Sequence, residues 1–436
     1  MDKHLQLGVA RKIITPKIGT CLYGYEPGVV SQSVHDDLTV TAFYFVDGDT
    51  KALMISATVC LIKNEICEEI LAQIDKQFGI PKEHCILHAT HTHSGPNLSG
   101  QVGWGDFDRD YYESIFLPSV LAAVEEATGS TVAVKMGMAS GDSYIGINRR
   151  QLLLDNTVSF GQNPWGAFNP QMVVISFNDL EGKNVANIVH YGMHGTCAGK
   201  NVEISRDWAG VMTDALEVVA GGITAFFNGP EGDVGPRLTN GRTVGYGDIR
   251  YAERHGGLAA QDAMRVYRAV RTYRDVSVSA FTDTVDVPLD KRIDLETAKQ
   301  EYERFKEYTI NIRGSKAAYY KRQIELYETG FEEKPFKSIS QTVIRIGDVA
   351  FVSFPYELFS EIGMRIARAA DIPYTLSLSN TNGSEGYFVT EDQICRGGYE
   401  VGMFKTGNDQ PYADNADWHL IKQTLKNLEK LQEKGE

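Results

Sequence analysis

The chain has 436 residues, 42% of them hydrophobic, and a formal net charge of -14 at pH 7. This length and composition allow a large buried core, while the negative charge and the absence of lysine or arginine runs argue against nucleic acid or an anionic membrane surface as a partner. No apolar run approaches the roughly 18 residues of a membrane span, and the N-terminus lacks the pattern of a secretion signal. We therefore expect a cytoplasmic globular protein with no integral membrane association.

The six cysteines are scattered along the chain without a Cys-x-x-Cys pair. This spacing is typical of reduced thiols in a reducing compartment, and it does not suit a disulfide framework or a zinc finger. We expect a small-molecule substrate as the partner, and the sequence leaves a homo-oligomer open.

Patterns typical of strands and of helices alternate along the chain. The segment KALMISATVC predicts a buried strand, and NEICEEILAQIDKQFG has an apolar stripe at helical spacing, with Asn64 as the expected N-cap and Gly79 and Pro81 as stop signals. Helix patterns at YYESIFLPSVLAAVEEA and DWAGVMTDALEVVA follow, as do strand patterns at TVAVKMGMA, VANIVHY and ITAFFN. This order predicts an α/β fold with a mixed β-sheet core and flanking helices.

The composition changes in the last third of the chain. Residues 294–335 are charged and helical in pattern, and they predict a helical insertion at the periphery. Strand patterns at TVIRIGDVAFVSF and PYTLSLSN and a helix pattern at ADWHLIKQTLKNLEKLQ come after it. No low-complexity linker divides the sequence, and we expect residues 1–436 to form one domain.

Three histidines fall within six residues in the stretch CILHATHTHSGP, which begins as a strand. Because successive residues of a strand alternate between its faces, we expect His91 and His93 on one face and His88 on the other. A bare His-x-His pair is more often a packed loop feature than a metal site. Other residues must therefore decide the role of this pair.

Three further residues with metal-binding or hydrogen-bonding side chains also follow strand patterns. His194 comes after VANIVHY, Glu357 lies at the expected start of a helix after VAFVSF, and Tyr387 follows PYTLSLSN. Strand ends are where α/β folds place their sites. Histidine combined with carboxylate suits zinc, and three protein ligands with one open position are typical of catalytic zinc. Taken singly, each of these residues is more often structural, and spacing alone does not select the set.

Six motifs occur in the order found in the neutral (alkaline, non-lysosomal) ceramidase family: HATHTHSGP, INRR, VHYGMHGTCAG, GDVGPR, FPYELFSEIGMRIAR and GYFVTEDQICRGGYE. The chain resembles that family from Leu7 to His419. The resemblance implies a catalytic zinc ion and four ligands, namely His91, His194, Glu357 and Tyr387. It also implies that three residues contact the substrate, namely His93, Arg149 and Tyr399.

Two departures from the family pattern affect the expected chemistry. The motif GDVGPR has Gly235 where the family has a serine with a catalytic role. Cys197 is an alternative nucleophile, although a buried thiol is the more common interpretation of such a residue. Members of the family also carry a C-terminal immunoglobulin-like domain and usually a secretion signal. We expect neither here, which argues against exported, membrane-facing lipid hydrolysis.

The expected mechanism does not require the serine. Zinc lowers the pKa of a bound water from 15.7 to about 7 and polarises a carbonyl. We expect His93 to pass the proton to the leaving group, and Arg149 or Tyr399 to hold the oxyanion or a polar group of the substrate. Asp233 either orients a ligand histidine or takes part in a turn, and the turn is the more common role.

The substrate is less defined than the metal. Two Gly-bounded aromatic loops, which contain Trp104 and Trp165, could form a platform for a polar ring or an acyl chain, although both indoles could equally pack locally. We place Trp104 and Gly235 beside the substrate, where the missing side chain of Gly235 would enlarge the pocket. We predict zinc-dependent hydrolysis of the amide bond of an N-acylated small molecule. The alternatives are cleavage of a glycosidic or ester bond in a carbohydrate-like substrate, and a zinc-containing binding protein without activity.

Overall fold

The computed structural model of the protein describes residues 4–433. Its strands are, in chain order, β1 (Leu5–Ile13), β2 (Leu22–Tyr23), β3 (Ser33–Val34), β4 (Thr39–Asp47), β5 (Thr50–Ala57), β6 (Cys85–Ala89), β7 (Gly95–Pro96), β8 (Val132–Asp142), β9 (Gly146–Leu152), β10 (Val158–Asn163), β11 (Gln171–Asp179), β12 (Asn184–Tyr191), β13 (Glu203–Ile204), β14 (Ile223–Asn228), β15 (Val234–Pro236), β16 (Val278–Pro288), β17 (Phe336–Ile346), β18 (Val349–Ser353), β19 (Glu357–Leu358), β20 (Tyr374–Leu378) and β21 (Tyr387–Phe388). Its α-helices are α1 (Asn64–Phe78), α2 (Arg109–Tyr111), α3 (Leu117–Gly129), α4 (Asp207–Ala220), α5 (Arg250–Ala269), α6 (Leu295–Phe305), α7 (Asn311–Thr329), α8 (Ser360–Ala369), α9 (Glu391–Ile394), α10 (Tyr399–Thr406) and α11 (Ala416–Glu433).

The largest sheet has eight strands in the order β14-β12-β11-β8-β1-β4-β5-β6. The outermost pairs, β14 with β12 and β5 with β6, are parallel, and the neighbours between them are antiparallel. Alternate residues of a strand in this sheet pack into apolar cores on opposite faces of the sheet. In β4, for example, Phe43 and Phe45 face one apolar cluster, while Val40 and Ala42 face another.

The two edge strands of this sheet, β6 and β14, come together. The Nε2 atom of His88 in β6 accepts the backbone N–H of Asn228 in β14 at 2.8 Å, and the Ser56 hydroxyl of β5 donates to the carbonyl oxygen of Phe226 at 2.7 Å. Since β6 and β14 end the strand order on opposite sides, the sheet is curled enough for its edges to meet. The curl places the loop after β6 beside the loops after β12 and β14.

A second sheet of four strands, in the order β16-β17-β18-β20, packs against one face of the first. The apolar layer between the sheets includes Phe227 of the first and Phe351 of the second, with ring centroids 6.4 Å apart. Helices cover the outer faces: α1 and α3 with α4 and α5 on the larger sheet, and α8 and α11 on the smaller one. This arrangement confirms the predicted α/β fold with a mixed sheet and flanking helices.

The predicted helical insertion is confirmed as the pair of contacting helices α6 and α7, which lies within residues 294–335. No helix in the described range 4–433 is long and apolar enough to cross a membrane.

The prediction for the start of α1 is wrong by one residue. Asn64 is the first residue of the helix and Lys63 takes the cap position. The Asn64 side chain is occupied elsewhere, since it accepts the backbone N–H of Ser384 at 2.8 Å and donates to Glu385 at 2.5 Å. A tertiary contact thus replaces the expected local cap. Gly79 ends the helix as predicted, in the left-handed conformation with φ of 61°.

Two predictions about the secondary structure around the site residues are also wrong. The strand β6 ends at Ala89, and His91 has φ of 67°, so His91 and His93 do not share a strand face. Glu357 does not begin a helix. It lies in the two-residue strand β19, which pairs in parallel with β21, and α8 starts at Ser360.

Candidate metal centre and its cavity

His91 and His93 lie in the loop that follows β6. The Nδ1 atom of His91 lies 3.1 Å from the carbonyl oxygen of Cys60, which favours the tautomer that leaves the Nε2 lone pair free. The Nε2 atom of His93 lies 3.1 Å from that Nε2. The left-handed conformation of His91 therefore brings the imidazoles of His91 and His93 together. A non-glycine residue held in this conformation is a feature often found at functional sites.

His194 lies in the loop after β12 and is oriented in the same way. Its backbone N–H donates to Val234, and its Nδ1 lies 2.8 Å from the carbonyl oxygen of Glu231, so its Nε2 lone pair is also free. The neighbouring Gly195 lets the two histidine loops touch, because a Cβ at this position would lie 2.6 Å from the carbonyl oxygen of His91.

Glu357 and Tyr387 reach the two histidines from the side of the second sheet. The Oε2 atom of Glu357 lies 3.1 Å from Nε2 of His194 and 3.4 Å from Nε2 of His91. The Tyr387 hydroxyl lies 3.4 Å from Nε2 of His194. The structure therefore brings together all four side chains that the family resemblance assigned to a zinc ion.

The geometry of these donors fits a metal ion. His91, His194 and Glu357 offer two imidazole nitrogens and one carboxylate oxygen within 4.8 Å of one another, which is a donor set of catalytic zinc sites. Oε2 of Glu357 is buried and has no hydrogen-bond partner among residues 4–433. A buried carboxylate oxygen without a partner is costly, and a cation at this point would remove the cost.

The electrostatics of the centre agree with this fit. Burial, together with the charge of Arg149, lowers the pKa of His194 to about 3. Burial opposes the ionisation of Glu357, but His91 and His194 hold the pKa of its carboxyl well below the usual range. Burial also opposes protonation of His91, but Cys60 and Glu357 raise its pKa well above the usual value. A divalent cation would take the place of the His91 proton, and metal uptake would release that proton.

Cys60 was not found by sequence reasoning. Its thiol lies 3.6 Å from Nδ1 of His91, and Cys60, His91 and His93 form a second group of side chains close enough to share an ion. The two groups overlap at His91. A cysteine far from the His-rich motif in sequence gives no signal for this contact.

Arg149 links the centre to a buried ion pair. Its Nε donates to Glu400 at 2.9 Å, and its Nη2 donates to the Tyr387 hydroxyl at 3.0 Å. The Tyr399 ring lies 5.5 Å from the Tyr387 ring. Arg149 and Tyr399 thus lie beside the candidate ligand Tyr387, while their expected contact with the substrate stays a prediction. Glu400 was missed, although it directly follows Tyr399 and a buried guanidinium needs a carboxylate partner.

Asp233 does not contact a ligand histidine. Its carboxylate accepts the backbone N–H of Ser360 at 2.7 Å and the Asn148 amide at 3.0 Å. The contact that orients His194 comes from the backbone of Glu231 instead. Glu231 is itself fully buried, and burial raises the pKa of its carboxyl to about 8.

Gly235 does not enlarge the pocket, contrary to the prediction. A Cβ on this residue would lie 2.6 Å from Cβ of Thr243, so the threonine side chain already fills the space. Cys197 is buried, and burial together with Asp207 raises the pKa of its thiol well above the usual value. Such a thiol is a poor source of thiolate.

A cavity of about 470 Å³ opens beside the centre. His91, His93, Glu357 and Tyr387 line one part of it, and Trp104 and Tyr399 line another. Trp165 is 93% exposed and does not line the cavity. Only the first of the two aromatic loops therefore faces the candidate site.

The fold is that of a known class of proteins. Residues 5–247 match the family described as neutral/alkaline non-lysosomal ceramidase, N-terminal, and the chain belongs to this family. Among curated relatives, it is 28% identical over 265 residues to neutral ceramidase A of Dictyostelium discoideum, an alignment that covers 56% of this chain and 37% of the relative. It is 27% identical over 268 residues to the neutral ceramidase of Mycobacterium tuberculosis, covering 53% of this chain and 40% of the relative. The matches thus span less than half the length of these relatives.

A crystal structure of the neutral ceramidase from Pseudomonas aeruginosa has the same fold, with a TM-score of 0.74 and 18% identity, and the match covers 99% of this chain and 75% of that one. A structure described as ceramidase complexed with C2 matches with a TM-score of 0.75 and 17% identity, covering 99% of this chain and 76% of that one. The family match ends before Glu357 and Tyr387, whereas the structural matches include the whole of both sheets.

Proposed function

We propose that the protein is a zinc-dependent hydrolase that cleaves the amide bond of an N-acylated small molecule. The observation that carries the proposal is the convergence of two histidine Nε2 atoms on the buried, unpartnered Oε2 atom of Glu357, at 3.1 and 3.4 Å. Membership of a family whose characterised relatives are named ceramidases supports an amide as the bond, since ceramidases hydrolyse the amide of ceramide.

His91, His194 and Glu357 would hold the ion, and the Tyr387 hydroxyl is placed to be the fourth ligand. When bound, zinc acts as a Lewis acid and lowers the pKa of water, which supplies a nucleophile at neutral pH. The carbonyls of Cys60 and Glu231 fix the ring orientations of the two histidines, so the site is oriented before the ion arrives.

The remaining chemistry belongs to side chains beside the ligands. His93 lines the cavity with its Nε2 3.1 Å from that of His91, so it is placed to accept the proton of the attacking water and deliver it to the leaving nitrogen. Arg149 is held by Glu400 and presents a positive charge next to Tyr387, where it would stabilise the oxyanion of a tetrahedral intermediate.

The proposal is tested by metal content and amide hydrolysis together. We expect about one zinc ion per purified chain, and we expect His194→Ala and Glu357→Gln to lose both the ion and activity. His84→Ala is the matched control, because His84 lies outside the centre with its Nδ1 3.0 Å from the carbonyl oxygen of Lys51. Unchanged zinc content in both His91→Ala and His194→Ala would contradict the site. A zinc-loaded protein that is inactive on amides, esters and glycosides would contradict the hydrolase and favour a binding protein.

A further inference from the structure

The walls of the cavity beside the metal centre carry many polar groups. Besides the metal-facing residues and the apolar side chains of Leu61, Phe107 and Met403, the polar lining consists of Lys63, Glu65, Ser99, Gln101, Asp106 and Glu385. An alkyl chain that filled this space would remove water from these groups without giving them hydrogen-bond partners. Glu65 and Asp106 are exposed and the other four groups are half-buried, so all of them are hydrated in the empty cavity. A long-chain lipid is therefore a poor occupant, because it would displace this water and offer no hydrogen bonds in return.

Several of the wall groups are not satisfied by the protein. Lys63 makes no ion pair with any residue that the structure describes, and its Nζ lies 4.7 Å from the centroid of the Phe107 ring. Glu65 and Asp106 also have no cationic partner within residues 4–433. Glu385, in contrast, is occupied by Lys337 and Asn64. The cavity therefore offers charged donors and acceptors that a polar ligand could use.

The amide of Gln101 points to the same conclusion. Its oxygen accepts the Tyr23 hydroxyl at 3.0 Å, while its nitrogen donates to no residue of the described chain. The fixed oxygen orients the side chain and leaves the N–H₂ group as a donor for a ligand.

Aromatic rings complete the wall. Trp104 and Tyr399 both line the cavity, with ring centroids 6.4 Å apart. The indole N–H of Trp104 is buried and has no hydrogen-bond partner in residues 4–433. An indole face beside several hydrogen-bonding side chains suits a ring that has apolar C–H faces and a hydroxyl-bearing edge, because each part of the ligand meets a matching surface.

We propose that the substrate is a short-chain N-acyl derivative of a polyhydroxylated amine, of the N-acetyl amino sugar class. Its ring packs on Trp104, and its hydroxyls bond to Lys63, Gln101 and Asp106. In the reaction the amide C–N bond breaks, water supplies the new C–O bond, and the proton goes to the nitrogen, which gives acetate and the free amine. The inference rests on the proposed hydrolase function and narrows its substrate.

The first experiment compares acyl chains and head groups on the zinc-loaded full chain. N-acetylglucosamine, N-palmitoylglucosamine and a long-chain ceramide in detergent micelles are supplied separately, and the release of free amine is measured. We expect kcat/KM for N-acetylglucosamine to exceed that for either long-chain amide by at least about tenfold. A higher value for ceramide would overturn the inference and leave the hydrolase proposal standing.

The second experiment tests the wall with matched variants. Trp104→Leu and Gln101→Leu should raise KM for N-acetylglucosamine by about tenfold or more, with a smaller change in kcat, because these residues bind the ligand and do not touch the reacting bond. Trp165→Leu and Gln73→Leu are the controls, since both residues lie outside the cavity. Equal KM values in all four variants would overturn the assignment of the wall.

Calorimetric titration with N-acetylglucosamine separates the two proposals if no amide is hydrolysed. A Kd of about 1 mM or tighter that is lost in Trp104→Leu would support the ligand class while the hydrolase proposal fails. Absence of both binding and hydrolysis of this compound, with other amides cleaved, would overturn the ligand class alone. Absence of binding and of all hydrolysis would overturn both.

Discussion

Glu357 and Tyr387 lie directly opposite each other in a parallel pair of two-residue strands, and both side chains reach Nε2 of His194, at 3.1 and 3.4 Å. Backbone pairing thus sets the spacing of a carboxylate and a phenol that come from separate segments of the chain. The hydrogen bond from Arg149 to the Tyr387 hydroxyl fixes the second group further. This rigid placement makes the roles of the surrounding residues separable by mutation.

The first prediction distinguishes the two histidines after β6. His93→Ala should keep its zinc and lose turnover by roughly 10²–10⁴-fold, because His93 is placed for proton transfer and the three metal donors remain. His91→Ala should lose zinc and turnover together. Elemental analysis and kcat of both variants check this. Release of zinc by His93→Ala would instead make His93 a ligand, in the group that it forms with Cys60 and His91.

The second prediction concerns the absence of a covalent intermediate. Cys197→Ala should keep kcat within about twofold, because a buried thiol with a raised pKa supplies little thiolate. Mass spectrometry during turnover should show no acyl adduct, and product release should show no burst. An acyl group trapped on Cys197, or on any other side chain, would contradict attack by water.

The third prediction uses the space beside Gly235. Gly235→Ala should destabilise the protein by about 1–3 kcal/mol, since the new Cβ would lie 2.6 Å from Cβ of Thr243. Gly257→Ala in α5 is the control, because a Cβ there meets no atom within 4 Å. It should be neutral or stabilising by roughly 0.5–1 kcal/mol. Urea unfolding measures the stability of both variants. Equal midpoints would contradict the prediction and show that the Thr243 side chain moves aside without loss of stability.

The fourth prediction is a loss of stability in acid that depends on His88. Burial lowers the pKa of His88 to about 3, and its Nε2 must stay unprotonated to accept the N–H of Asn228. The unfolded chain binds a proton near pH 6.5 and the folded chain does not, so this contribution to stability is complete above pH 6.5 and is lost as the pH falls towards 3. The expected loss from this residue between pH 6.5 and pH 5 is about 2 kcal/mol.

His88→Gln should reduce that acid dependence, because the glutamine oxygen can accept the same N–H and does not titrate in this range. Urea unfolding at the two pH values gives the difference for each protein. The same substitution at His419 in α11 is the control. If His88→Gln and the original chain lose the same free energy of unfolding between pH 6.5 and pH 5, a group other than His88 causes the acid dependence.

Much of the fold could be predicted because its elements follow local patterns. The apolar stripe of α1 has the helical period, β12 and β14 are short apolar runs, and the charged composition of residues 294–335 indicated the helices α6 and α7. The errors came where tertiary contacts override a local preference. The Asn64 side chain does not cap α1, because it accepts the backbone N–H of Ser384 instead. His91 is not part of a strand, because its backbone adopts the left-handed conformation that turns its ring towards His194.

The candidate ligands could be named because each occupies a short motif, and the motifs occur in a characteristic order. Their supports could not be predicted. The atoms that orient His91 and His194 are the backbone carbonyls of Cys60 and Glu231, and a backbone carbonyl leaves no mark on the sequence. Thr243 was missed for a related reason: only the folded chain shows which side chain fills the space beside Gly235.

The two sheets contribute different halves of the donor set, and this has a consequence for how the chain folds. His91 and His194 follow strands of the curled sheet, while Glu357 and Tyr387 follow β18 and β20 of the other. A zinc ion at this centre could bind tightly only after these distant segments have docked, so its uptake would mark a late, long-range step of folding. By mass action, the bound ion would then stabilise the docked arrangement of the two sheets, and a chelator would lower the denaturant midpoint of the zinc-loaded protein.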